Sequence, residues 1–243
     1  MRLPTINGTI KRRLLINFRA DPATVQTLLP AGFQPKLHKG FAMVGICLIR
    51  LEEIRPKGLP ALLGISSENA AHRIAVEWTD ADGIAREGVF IPRRDTNSCL
   101  NALAGGRIFP GEHHHSEFAV RDTGDTISLA MKSADKECSV EVEATIAETL
   151  PTTSIFVSLA EASRFFENGC TGYSVTSDPE RLDGIVLKTE KWVMNPLSVS
   201  RVHSDYFANE TRFPAGSIHF DHGLIMRDIP HEWHSTADFQ VVR

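Results

Sequence analysis

Apolar and polar residues along this chain mostly alternate with a period of two or gather in short apolar runs, the pattern of a β-rich protein. Residues 13–18 read as a strand. Asp21-Pro22 then opens a helix, with Asp as N-cap, Pro at the first helical position, and Val25, Leu28 and Leu29 as its apolar face. After Pro30-Ala31-Gly32, residues 33–37 turn at His38-Lys39-Gly40 into the run 41–51. That run is apolar nearly throughout, which predicts a central strand buried on both faces. Residues 55–69, with Pro56, Gly58, Pro60 and Gly64, read as a long loop. Asp82-Gly83 predicts a hairpin joining strands over 72–79 and 86–92.

Farther along, Leu100, Ala104 and Ile108 recur at fourfold spacing, which predicts a short helix over 96–108. Strands are expected near 116–122, 126–132 and 136–148. Ser158 to Glu161 form a capping box for a helix that runs to about Asn168 and stops at Gly169. More strands are predicted near 172–176, 184–193 and 197–203, then an irregular tail with short strands near 216–226 and 236–242. The class is α+β with a dominant antiparallel sheet, curled or closed to protect its edges. No repeat or low-complexity linker divides residues 1–243, so a single domain is expected.

Charge and cysteine usage narrow the function classes. Net charge is −4, and the densest basic clusters are only Lys11-Arg12-Arg13 and Arg93-Arg94, so no nucleic-acid partner is expected. Cys47, Cys99, Cys138 and Cys170 are far apart with no CxxC pair, the pattern of reduced thiols in a cytoplasmic protein. The N-terminus has no signal-peptide core and no apolar run has membrane-spanning length, so no membrane partner is expected.

Histidine carries the candidate chemistry. Seven of the ten fall in two groups, His113-His114-His115 after Glu112, and His219, His222, His231 and His234. In an extended segment His113 and His115 share one face and His114 takes the other. Two such imidazoles with Glu112 can hold a metal, one neutral imidazole can act as a general base, or the triplet can be a polar loop. The pairs His219/His222 and His231/His234 have metal-like spacing, but Gly216, Gly223 and Pro230 argue against the helix that spacing needs, and a solvated tail is expected. Arg94 lies where a strand meets the expected helix, either clamping a carboxylate or pairing with Asp95 at the surface. No GxSxG, P-loop or dinucleotide fingerprint is present.

Residues 89–118, VFIPRRDTNSCLNALAGGRIFPGEHHHSEF, resemble the central motif of the acetoacetate decarboxylase family, including its Gly-Arg step at Gly106-Arg107. The segments NFRADPATVQTLLPAGFQP and RPKGLPALLG are similar to a domain-of-unknown-function branch of the same superfamily. The resemblance covers about residues 10–225. It implies a curled sheet or cone-like barrel with an internal cavity and outer helices, and a homo-oligomer. The family's reaction uses a lysine amine that forms a Schiff base with a β-keto acid. At the matching positions stand His113 and His114, and the family's pocket glutamate falls near His72 or Asn69. His72 alternatively reads as a strand-end histidine bonded to backbone or water. Amine-based decarboxylation would then need Lys188 or Lys191 from another strand. The resemblance therefore implies a small-molecule pocket with His113, His114, His72 and Glu112 as acid–base or metal-binding candidates. Arg94, Asp95 and Arg107 become candidate substrate contacts. Two functions follow: an enzyme acting on a small carboxylate or carbonyl compound by enolisation, lyase or hydrolase chemistry, or a noncatalytic small-molecule-binding protein. Neither a cofactor nor a particular metal is implied.

Overall fold

The computed structural model describes residues 4–99 and 111–241. Among them fourteen strands join one curled, mixed sheet with few helices. β1 (Ile6–Ala20) leads into the short α1 (Pro22–Gln26). Asp21 caps α1, its Oδ1 accepting the Thr24 N–H at 2.7 Å. β2 (Gln34–Pro35) and β3 (Leu37–His38) precede β4 (Phe41–Pro56), and Lys39 and Gly40 take positive φ at the β3–β4 turn. β5 (Ile65–Thr79) and β6 (Ala85–Thr96) follow as a hairpin. The long loop expected over 55–69 contracts to the segment between β4 and β5, which carries one 3-10 turn, Ala61–Leu63. Tertiary pairing overrides composition there, because polar residues such as Arg50 and Glu68 pair across β4 and β5.

β7 (His113–Asp122), β8 (Thr126–Ser133) and β9 (Ser139–Ile146) form a meander. In α2 (Leu159–Glu167), Ser158 Oγ accepts the Glu161 N–H at 3.2 Å, and the Glu161 carboxylate accepts the Val157 N–H at 2.7 Å. Then come β10 (Thr171–Val175), β11 (Arg181–Lys188), β12 (Asn195–Ser204), α3 (Asp205–Ala208), β13 (Ile218–Ser235) and β14 (Phe239–Gln240). The C-terminal segment departs most from its expected irregular form, because β13 is 18 residues long and runs antiparallel to β1. Gly223, a break signal in the sequence, lets β12 cross: a Cβ there would lie 2.8 Å from Val199 Cγ2. The helix expected over 96–108 falls largely on residues outside those described.

Two forks give the sheet its shape. On the edge of β6 away from β5, Val89 to Ile91 pair with β10 and Arg94 to Thr96 pair with β7, both in parallel. β13 likewise pairs with β12 around Leu224 and with β11 around Trp233. Pairings therefore return to β1 along two routes, one through β10 and β11, the other through β7, β8, β9 and β12. β1, β4 and β5 are common to both, so both of their faces are buried. Leu14, Ile46, Leu48 and Ile74 pack toward Leu129 and Val142 in the larger apolar core. Their neighbours Leu15, Met43, Cys47 and Ala75 pack on the opposite side with Phe166 of α2 and Met226 of β13. That double burial is the reason residues 41–51 are apolar almost without interruption. Among the described residues no helix is long and apolar enough to cross a membrane.

Candidate functional site

The shorter route around the sheet encloses a cavity of about 120 Å³. Every strand of that route contributes to its wall, among them Arg13 of β1, Cys47 of β4, Arg73 of β5, Arg94 of β6, Gly172 of β10, Leu187 of β11 and Trp233 of β13. His113, the first residue of β7, completes the wall at the β6 fork. Parallel pairing sets Arg94 beside His113.

The His113 ring is oriented by its own chain. Its Nδ1 donates to the Gly111 carbonyl at 3.1 Å, which leaves Nε2 as the basic atom. Gly111 has φ of +90°, and a Cβ on it would sit 2.5 Å from Ser174 Cβ, so only glycine fits this packing against β10. Its N–H donates to Asp183 Oδ2 at 2.9 Å, which anchors the turn. Burial, reinforced by the adjacent Arg94 charge, pushes the His113 pKa down to about 3. The ring is neutral at physiological pH.

Three guanidinium groups meet in the cavity wall. Arg94 Nε donates to Ser174 Oγ at 2.9 Å, Arg13 Nε donates to Cys47 Sγ at 3.3 Å, and Arg73 donates to Asn17 Oδ1. Among the described residues none of the three lies within ion-pair distance of a carboxylate, whereas the neighbouring Arg12 and Arg93 each do. Burial pushes both Arg73 and Arg94 down to about 10. Cations without an ion-pair partner around an apolar cavity favour an anionic ligand.

Of the remaining candidates, Asp95 also borders the cavity, and the other described ones occupy other surroundings. His72 alternates with Arg73 along β5 and points into the larger core, where its Nε2 hydrogen-bonds with Ser204 Oγ at 3.0 Å and Tyr206 and Phe207 pack on the ring. It therefore does not share the cavity with His113. Asp95 is fully buried, and its carboxylate accepts from Arg93 and from Ser116 Oγ. His114 reaches Asp135 at 3.1 Å, and Glu112 is exposed. His115 is exposed beside Cys99. Arg107 lies outside the described residues. His72, Asp95 and Cys138 do converge closely enough to consider a metal. However, the Asp95 oxygens are engaged by Arg93 and Ser116.

The C-terminal histidines do not form metal pairs, because i and i+3 lie on opposite faces of a strand such as β13. They do not form a solvated tail either. His222 is fully buried, donating from Nδ1 to Asp221 at 2.6 Å, and His231 is buried against Trp233. Lys188 and Lys191 line a second, outer groove rather than the cavity. Arg13, Arg73 and Cys47 had no place among the sequence candidates. The available signal was an arginine embedded in an apolar strand, as Arg73 is between His72 and Ile74-Ala75-Val76.

The curled, mixed sheet has the acetoacetate decarboxylase-like fold. Acetoacetate decarboxylase from Legionella pneumophila subsp. pneumophila str. Philadelphia 1 matches with a TM-score of 0.60 at 15% identity, over 98% of this chain and 89% of that one. MppR, an enduracididine biosynthesis enzyme solved with pyruvate, matches with a TM-score of 0.61 at 9% identity, over 100% and 92%. An acetoacetate decarboxylase-like enzyme from Sphingomonas wittichii RW1 matches with a TM-score of 0.57 at 12% identity, over 98% and 93%. The chain belongs to the DUF2071 family, described as an uncharacterized conserved protein, whose pattern matches residues 8–217. No curated protein matches it.

Proposed function

We propose that the cavity binds a small oxo acid, with Arg94 taking its carboxylate and His113 moving a proton at the carbon next to its carbonyl. The observation that carries this reading is the adjacency, in one cavity wall, of a neutral imidazole and a guanidinium with no ion-pair partner among the described residues. His113 Nε2 takes the proton, the C–H electron pair moves into the carbonyl, and the enolate charge forms in the field of the arginines. A base with a pKa of about 3 is weak in the empty cavity. A carboxylate on Arg94 cancels the charge that opposes His113 protonation, so substrate binding strengthens the base. An amine mechanism has no support, because no lysine stands among the described wall residues and an imidazole forms no stable Schiff base. The pyruvate complex of MppR, on the same fold, supports an oxo acid as ligand class.

The test is proton exchange in D₂O with pyruvate and acetoacetate, followed by proton NMR. The protein should accelerate loss of the α-proton signal, and His113→Gln should lower that rate by about 10²–10⁴-fold. Exchange that persists at the wild-type rate in His113→Gln overturns the role of His113. Tight binding with no exchange in either protein would instead favour a noncatalytic binding protein.

A further inference from the structure

We infer that the ligand is an oxo-dicarboxylate, with one carboxylate on Arg94 and the second held by Arg13 and Arg73. The inference rests on the reading of this cavity as an oxo-acid site, and it names the substrate class. Charge is the first argument. Arg13, Arg73 and Arg94 contribute three positive charges to one wall, and the one acidic side chain named in that wall, Asp95, is already paired with Arg93. A monocarboxylate would leave two of these cations without an ion-pair partner at low dielectric. Cys47 lies in the same wall as all three arginines, and Arg13 bonds its sulfur.

Unused donors are the second argument. Arg13 Nη1 and Arg73 Nε are buried and have no hydrogen-bond partner. Arg73 is only 4% exposed, so its Nε is not a group that water can readily satisfy.

Positioning is the third. His222 Nδ1 donates to Asp221, Asn17 Nδ2 donates to His222 Nε2 at 3.1 Å, and Arg73 donates to Asn17 Oδ1. Asp221, His222 and Asn17 are all fully buried. This chain fixes the Asn17 amide with its oxygen toward Arg73, and the Phe166 ring lies under the guanidinium at 4.9 Å. A buried relay that ends on a cation with a free donor is a built anion subsite.

Calorimetry with a matched pair of acids tests this. 2-Oxoglutarate and 2-oxopentanoate share a chain length and differ by the second carboxylate. The wild-type protein should bind the diacid on the order of 10–100-fold more tightly, the worth of charge-assisted hydrogen bonds to one carboxylate. Arg73→Met and Arg13→Met should each weaken the diacid far more than the monoacid, while Arg73→Lys, which keeps the charge, should retain much of the preference. Thermal melts confirm that each variant is folded. Equal affinity for the two acids, or variants that weaken both alike, would overturn the second subsite while His113-dependent exchange leaves the oxo-acid site standing. Binding of neither acid, with no exchange, would overturn both.

Discussion

Arg93 and Arg94 are adjacent in β6, yet strand alternation sends them to opposite faces and opposite electrostatic fates. Arg93 meets Asp95 at 2.8 Å and Asp135 at 3.0 Å. Burial works against its charge, but those carboxylates hold its pKa above the ordinary arginine value. Arg94 has a serine hydroxyl as its side-chain partner, and burial wins. The two histidines beside them repeat the contrast. His72 and His113 are both pushed down to about 3, first by burial and then by a neighbouring arginine. His72 is packed by Tyr206 and Phe207, whereas His113 borders open space. A depressed pKa is thus common to a core residue and a cavity residue. What separates them is room for a reactant and the absence of a compensating charge.

The contrast breaks most sharply at the histidines. His113→Gln should remove about 10²–10⁴-fold of exchange activity with little loss of stability, whereas His72→Ala should destabilise the fold by roughly 2–4 kcal/mol. Denaturant melts and exchange rates on the same preparations separate the two effects. At the arginines, Arg93→Met should cost about 3–5 kcal/mol, because it leaves the Asp95 carboxyl buried without its partner. Arg94→Met removes an unpaired buried charge, so its urea midpoint should stay level or rise while oxo-acid binding is lost.

Acid should act through the buried neutral histidines, His72 among them. The folded-state pKa of His72 lies below its unfolded value, so between about 3 and 6.5 the unfolded chain holds a proton that the folded chain does not. Its contribution is therefore complete above the unfolded pKa and is lost as pH falls toward about 3, at about 1.4 kcal/mol per pH unit. Urea midpoints across that range, wild type against His72→Gln, measure the slope. The smallest expected effect is spectroscopic. Saturating carboxylate should raise the His113 midpoint by cancelling the Arg94 charge and leave the His72 midpoint in place, as read by histidine NMR.

Local chemistry made much of the fold legible. The Asp21 cap, the Ser158 capping box and the 82–83 hairpin all follow from short-range rules. The double burial of β4 follows from its unbroken apolar run. β13 was not legible, because Gly223 and Pro230 break the local pattern while pairing with β1 supplies the order. Among the site residues, Arg94 and His113 were within reach because they stand together in a recognisable motif. Arg13 and Arg73 were hidden because a single charge in a strand does not show which face it takes.

The sequence by itself determined a β-rich chain, its family resemblance and the absence of a lysine beside His113, because these depend on residue identity and short-range spacing. The tertiary structure alone decided which polar residues share a cavity. Alternation divides each strand between two faces, and only the fork at β6 and the return through β10, β11 and β13 turn one face into a wall around open space. Whether an arginine is paired or waits for a ligand depends on carboxylates distant in sequence, and long-range strand pairing sets those positions.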